Sequence, residues 1–198
     1  MNKAKTTNTQ KLVLLALLTA IVVVLQILAI VTKPLFPAFT ITLVLMPIVV
    51  GAALIGTYAG CWLGLAFGAA VLISGDAAAF LVIDPIGTVL VVLLKGALAG
   101  LAAGAVYRLF SKKNRTVAAI AAAVVCPLVN TGVFIIGSYI FFLPTLTEWA
   151  SIFGYANATA YIIFGMIGIN IIIELAINIV LCPVIVRLVH YGQDRRIS

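Results

Sequence analysis

Long apolar runs broken by short polar or proline-bearing stretches constrain this chain more than any other feature. Leu12 to Val31 is interrupted only by Thr19 and Gln26. An α-helix of about 20 such residues spans the hydrocarbon core of a bilayer, where the backbone must satisfy its own hydrogen bonds. The next run, Ile41 to Ser74, is too long for one span and divides near Gly56-Thr57-Tyr58. Three more follow, from about Pro85 to Phe110, Thr116 to Leu143 and Ala158 to His190. The expectation is an all-α integral membrane protein with six transmembrane helices. Residues 1–11 form an N-terminal segment, 12–190 the membrane domain and 191–198 a tail. Of 198 residues, 65% are hydrophobic and 9% charged, against about 25% charged in soluble domains. That balance excludes a soluble globular enzyme, a disordered chain and a nucleic-acid partner.

Charge placement gives the orientation. Six spans put both termini on one side, which then receives Lys3, Lys5, Lys11, Arg108, Lys112, Lys113, Arg115, Arg187, Arg195 and Arg196, ten of the twelve lysines and arginines. The other side has Lys33 with Asp76, Asp84 and Glu148. Cationic loops stay in the cytoplasm, so both termini are expected there, in a cell-membrane protein. The first run lacks a small-residue cleavage site and reads as a retained helix.

Glycines recur every four residues at Gly60, Gly64, Gly68 and at Gly96, Gly100, Gly104, a spacing that lets helix backbones approach in lipid. Ala16 and Ala20 make a similar patch on the first helix; on spacing alone it reads as internal packing or as a docking face. Cys61, Cys126 and Cys182 lack metal-ligand spacing and read as small buried hydrophobes.

Polar side chains at membrane depth are costly and mark functional candidates. Lys95 lies ten residues into its helix, about 15 Å deep at 1.5 Å per residue. Glu174 lies in the last helix, with Asn170 and Asn178 one turn to either side on the same face. Asn130 is near the middle of the fifth helix, and Gln26 near the outer end of the first. Two readings stay open: Lys95 and Glu174 form a buried ion pair with the asparagines bridging helices, or Lys95 receives an anionic substrate group while Glu174 supports the cavity floor. The segment Thr32–Thr40, with Pro34, Phe36, Pro37 and Phe39, is either a cavity cap or an interfacial connection. Trp149, Phe153 and Tyr155 fit an aromatic belt or a second part of such a lid. No phosphate-binding G-x-x-x-x-G-K-[ST] motif, Ser-His-Asp set or H-E-x-x-H pair occurs, so neither an enzyme nor a self-powered pump is expected, and no metal.

The segments KLVLLALLTAIVVVLQ (with Ala16-x-x-x-Ala20), ITLVLMPIVVGAALIG (41–56) and CPLVNTGVFIIG (126–137), in that order across nearly the whole chain, resemble the substrate-binding S components of energy-coupling factor (ECF) vitamin transporters. The resemblance implies a subunit that binds a vitamin from outside and works with a transmembrane coupling protein and two cytoplasmic ATPases. ATP is used by those partners, and this chain needs no cofactor. It makes Ala16 and Ala20 the docking motif for the coupling protein. It also implies a cavity in the outer half between the fourth, fifth and sixth helices, under the loop after the first. The positions matching that cavity are Lys95, Asn130, Asn170 and the Pro34–Phe39 loop.

Within the resemblance the chain looks most like the pantothenate and riboflavin group. An ammonium is a good point-charge partner for an anion, so Lys95 favours pantothenate, which carries a carboxylate, hydroxyls and an amide. Riboflavin wants aromatic stacking, which the middle of the last three helices offers sparingly, and folate has two carboxylates for one lysine. Substrate contacts are thus expected from Lys95, Asn130, Asn170, Gln26, Phe36 and Phe39, with Glu174 and Asn178 supporting. A stand-alone proton-coupled carrier using Lys95 and Glu174 is the alternative from another class.

Overall fold

The computed structural model describes residues 8–32 and 43–194. Phe36, Phe39 and the rest of the proline-rich loop lie outside the described residues. The elements are α1 (Asn8–Thr32), α2 (Leu45–Leu54), α3 (Thr57–Ile73), α4 (Ala78–Ile83), α5 (Pro85–Ser111), α6 (Arg115–Phe141), α7 (Leu143–Ile152) and α8 (Ala158–Ala160), which runs through a π-helical segment (Tyr161–Ile167) into α9 (Gly168–Asp194). No strand occurs among the described residues.

Helix starts follow from local chemistry. Asp84 precedes α5, where its Oδ1 accepts from the Gly87 N–H at 2.9 Å, and Pro85 takes the first turn, where no N–H is needed. Asn114 caps α6 by accepting from the Thr116 and Val117 N–H groups. Asn157 caps α8 through the Ala160 N–H.

Four helices among the described residues are long and apolar enough to cross a membrane: Asn8–Val31, Pro85–Ser111, Arg115–Phe141 and Ala158–Asn178. The second and third expected spans are shorter. α3 has 17 residues and α2 only 10, which is about 26 Å and 15 Å of helix. Every residue of α2 except Met46 is buried, so this helix is a plug inside the bundle rather than a lipid-facing rod. Two stretches left between the expected spans carry helices of their own, α4 and α7. Large apolar side chains stay exposed around the bundle, among them Leu12, Val24, Ile86, Ile140, Phe164 and Val180, as suits a lipid solvent.

The short α5–α6 turn makes those helices antiparallel, and the contacts of α3 with α1 and α5 complete the layout. The start of α1, the α2–α3 turn, the α5–α6 turn and the end of α9 share one end of the bundle, here the terminal end. α4 and α7 lie at the opposite, capped end.

The two glycine series meet each other. A Cβ on Gly64 would collide with the Gly96 carbonyl, and one on Gly100 with the Gly60 carbonyl. The α3 and α5 backbones therefore touch along this seam, which only glycine permits. The core of the terminal half is made of alanines and aliphatics such as Leu18, Leu45, Ile48, Ala99, Ala119 and Ile185. A separate cluster in the capped half holds Val91, Phe142, Leu146 and Ile162, with Phe80, Phe134 and Trp149 packed on it.

Candidate functional site

A cavity of about 240 Å³ lies where these two cores meet. Four of the polar residues singled out from the sequence line it together: Gln26 from α1, Lys95 from α5, Asn130 from α6 and Glu174 from α9. Helical spacing explains how three elements contribute. Thr88, Val91, Val92 and Lys95 share one face of α5. Asn130, Thr131 and Phe134 do the same on α6. Ile171 and Glu174 do so on α9, continuing from Met166 and Ile167 in the π-helical segment. The capped end contributes Asp76, Ala77, Phe80 and Phe142. Counting residues from the helix ends puts Lys95 and Asn130 at one depth, about 15 Å from the capped end.

The Lys95 Nζ lies over two ring faces, 5.4 Å from the Phe134 centroid and 5.8 Å from that of Phe67. A cation over a ring face gains electrostatic attraction from the ring quadrupole, more when desolvated. Asp76 and Glu174 also act on this ammonium electrostatically. The Lys95–Glu174 relation is therefore part of a larger arrangement of one ammonium, two carboxylates and two phenyl faces.

Asn130 is buried, and its Oδ1 has no hydrogen-bond partner among the described residues. A buried acceptor left unmade costs about 1–3 kcal/mol, and this one belongs to a residue that lines the cavity. Pro127 interrupts the α6 hydrogen-bond ladder one turn before it. Gln26 is almost fully buried on α1. Asn178 does not line the cavity; its Nδ2 donates to the Glu174 carbonyl at 2.8 Å, tying α9 to itself one turn deeper. Asn170 lies on α9 one turn before Glu174, and its side chain is outside the described residues.

Several lining residues escaped sequence reasoning. Phe134 is four residues after Asn130, and Thr88 seven before Lys95, so helical spacing from the polar anchors reaches both. Phe67 and Phe80 come from other elements, and nothing local marks them; Asp76 stands out as an acidic residue between the long helices, but nothing local places it at the cavity. Phe80 joins the aromatic cluster, with ring centroids 4.8 Å from Phe142, 5.9 Å from Phe134 and 6.0 Å from Trp149. Trp149 thus backs the cavity wall. Of the four lining phenylalanines only Phe134 comes from the middle of the last three long helices; Phe67, Phe80 and Phe142 are supplied from elsewhere.

Ala16 and Ala20 lie apart from the cavity. Both are exposed on α1, alongside Val13, Leu17 and Val24, while Leu18, Val22 and Gln26 face inward. No group of three or more potential metal ligands occurs among the described residues.

An apolar helical bundle enclosing a small chamber, with a few polar groups converging on it, is the arrangement of a membrane-embedded small-molecule binding protein. The description "ECF transporter, substrate-specific component" matches residues 10–186, and the chain belongs to that family. It is therefore a membrane protein of the transport class, a substrate-binding subunit that partners an ECF module and not an enzyme. Neither the search of curated proteins nor that of solved structures returned a match.

Proposed function

We propose that this chain is the high-affinity vitamin-binding subunit of an ATP-driven importer, with six spans, both termini cytoplasmic and the capped end outside. The observation that carries this reading is the convergence of Lys95, Asn130, Gln26 and Glu174 on one chamber. Pantothenate is the first candidate. Its carboxylate meets the Lys95 ammonium, its amide N–H or a hydroxyl meets the vacant Asn130 acceptor, and its apolar body lies against the phenyl walls. The chamber is smaller than the roughly 300–1,000 Å³ of drug-sized sites, which favours a compact vitamin over folate. Riboflavin is the second reading, favoured by the rings of Phe67, Phe80, Phe134 and Phe142 around the cavity.

The energy comes from the partners: a transmembrane coupling protein and two cytoplasmic ATPases. Ala16 and Ala20 form the docking patch, since small exposed side chains let a partner helix approach α1 closely. Thermal-shift and calorimetric screening of the purified chain against the B vitamins tests the substrate; binding of pantothenate without ATP is expected, and riboflavin binding alone replaces that assignment. Ala20→Trp is expected to abolish uptake in cells and leave vitamin binding intact. Assembly with the coupling protein despite that change removes the docking assignment. Uptake that persists without the ATPases and follows a pH gradient points to the proton-coupled carrier instead.

A further inference from the structure

Asp76 is the charged cavity residue whose position the helix pattern does not explain. It follows Gly75, whose positive φ of 81° turns the chain at the end of α3, and it lines the same chamber as Lys95. Glu174 reaches that chamber from inside α9, where it is buried. Asp76, partly exposed, sits in a connection at the capped end. One ammonium thus shares a weakly polar chamber with two resident carboxylates, one deep and one toward the mouth. Charges in such surroundings interact far more strongly than in water.

A bare ammonium at the bottom of an open chamber attracts any small anion. Selectivity against unwanted partners is commonly built by making them lose a contact that already exists. A carboxylate-bearing ligand brings a further anion here, and it gains the ammonium only in competition with a carboxylate already present. Asp76 is the better placed of the two to yield, since a turn residue near solvent recovers hydration when displaced, and a buried helical glutamate does not.

We propose that Asp76 is a specificity-determining residue whose carboxylate competes with the anionic group of a ligand for the Lys95 ammonium. The competition weakens binding of simple anions and leaves tight binding to ligands that also satisfy Asn130 and the phenyl walls. The proposal rests on the reading that Lys95 receives an anionic ligand group, and the tests below separate the two.

The full-length chain in detergent is titrated calorimetrically with pantothenate and with pantothenol, its uncharged alcohol analogue. Asp76→Asn is expected to tighten pantothenate about tenfold, the scale of removing one competing charge near a pair. Pantothenol affinity is expected to stay within about twofold. Unchanged or weaker pantothenate binding in Asp76→Asn overturns the proposal. Lys95→Met tests the underlying reading, since it is expected to erase the preference for pantothenate over pantothenol. If the native chain binds neither compound, the vitamin assignment fails and a ligand-free measurement decides on Asp76. Asp76→Asn is then expected to lower the thermal midpoint in the native background and to raise it beside Lys95→Met, where the carboxylate has lost its ammonium. Equal shifts in the two backgrounds overturn the proposal.

Discussion

The terminal and capped halves of this bundle solve the same packing problem with different side chains. In the terminal half, glycine and alanine bring α3 and α5 into backbone contact, and aliphatic residues of α2 and α9 fill what remains. In the capped half, large rings from α4, α6 and α7 meet edge-on or tilted, at centroid separations of 4.8–6.0 Å. Small residues pack without gaps, whereas rings held at an angle leave room between them. The helix α5 belongs to both regimes: its Gly96 closes the seam while the neighbouring Lys95 opens on the chamber. The difference teaches that rigidity and recognition are carried by adjacent residues of one helix, which points them about 100° apart around its axis.

Substitutions can break this contrast, and the largest effect belongs to the seam. Gly64→Leu drives a side chain into the Gly96 carbonyl and is expected to leave no monodisperse protein on size-exclusion chromatography. Gly132→Ala is the control: no described residue lies within 4 Å of a Cβ there, so its thermal midpoint is expected to hold or rise. Next comes the chamber's charge. Lys95→Met is expected to weaken vitamin binding about 100-fold, the scale of a lost charge-assisted contact, with circular dichroism showing the helices retained. Asn130→Leu is expected to cost about fivefold to tenfold in affinity, the scale of one neutral hydrogen bond. Its thermal midpoint is not expected to fall, because the Oδ1 has no partner to lose among the described residues. A fall in stability there with unchanged affinity would move Asn130 from the ligand to the scaffold. The smallest effect is expected from Phe134→Leu, about threefold in affinity with a slightly lower midpoint, since an aromatic pair contributes about 0.5–1.5 kcal/mol.

The long helices and the glycine seam were legible because their signals are local: apolar runs and a four-residue repeat. The polar half of the site was legible for a related reason. A lysine or asparagine in an apolar helix stands out against its neighbours, and Lys95, Asn130, Gln26 and Glu174 are found one residue at a time. The aromatic half was not. Phe67, Phe80 and Phe134 are apolar residues in an apolar chain, and only the meeting of separate helices gives them a shared role. Asp76 was visible but read as an ordinary loop charge, since its approach to Lys95 depends on how α3 ends against α5. The short helices α4 and α7 were missed because six to ten residues beside acidic groups carry too little periodicity to distinguish a helix from a loop.

The short, almost wholly buried α2 has a consequence for how cargo travels. The chamber's deepest lining residues are Lys95, Asn130 and Glu174, and beyond them toward the terminal end lie α2 and the α3–α5 seam. Rotamer changes alone do not clear a passage through a helix buried along nearly its whole length, because close-packed interiors resist local deformation. A molecule that enters from the capped end sits in a vessel and not in a conduit. Its delivery to the far side requires helices, or the entire subunit, to be displaced, and work of that kind is what an external motor supplies.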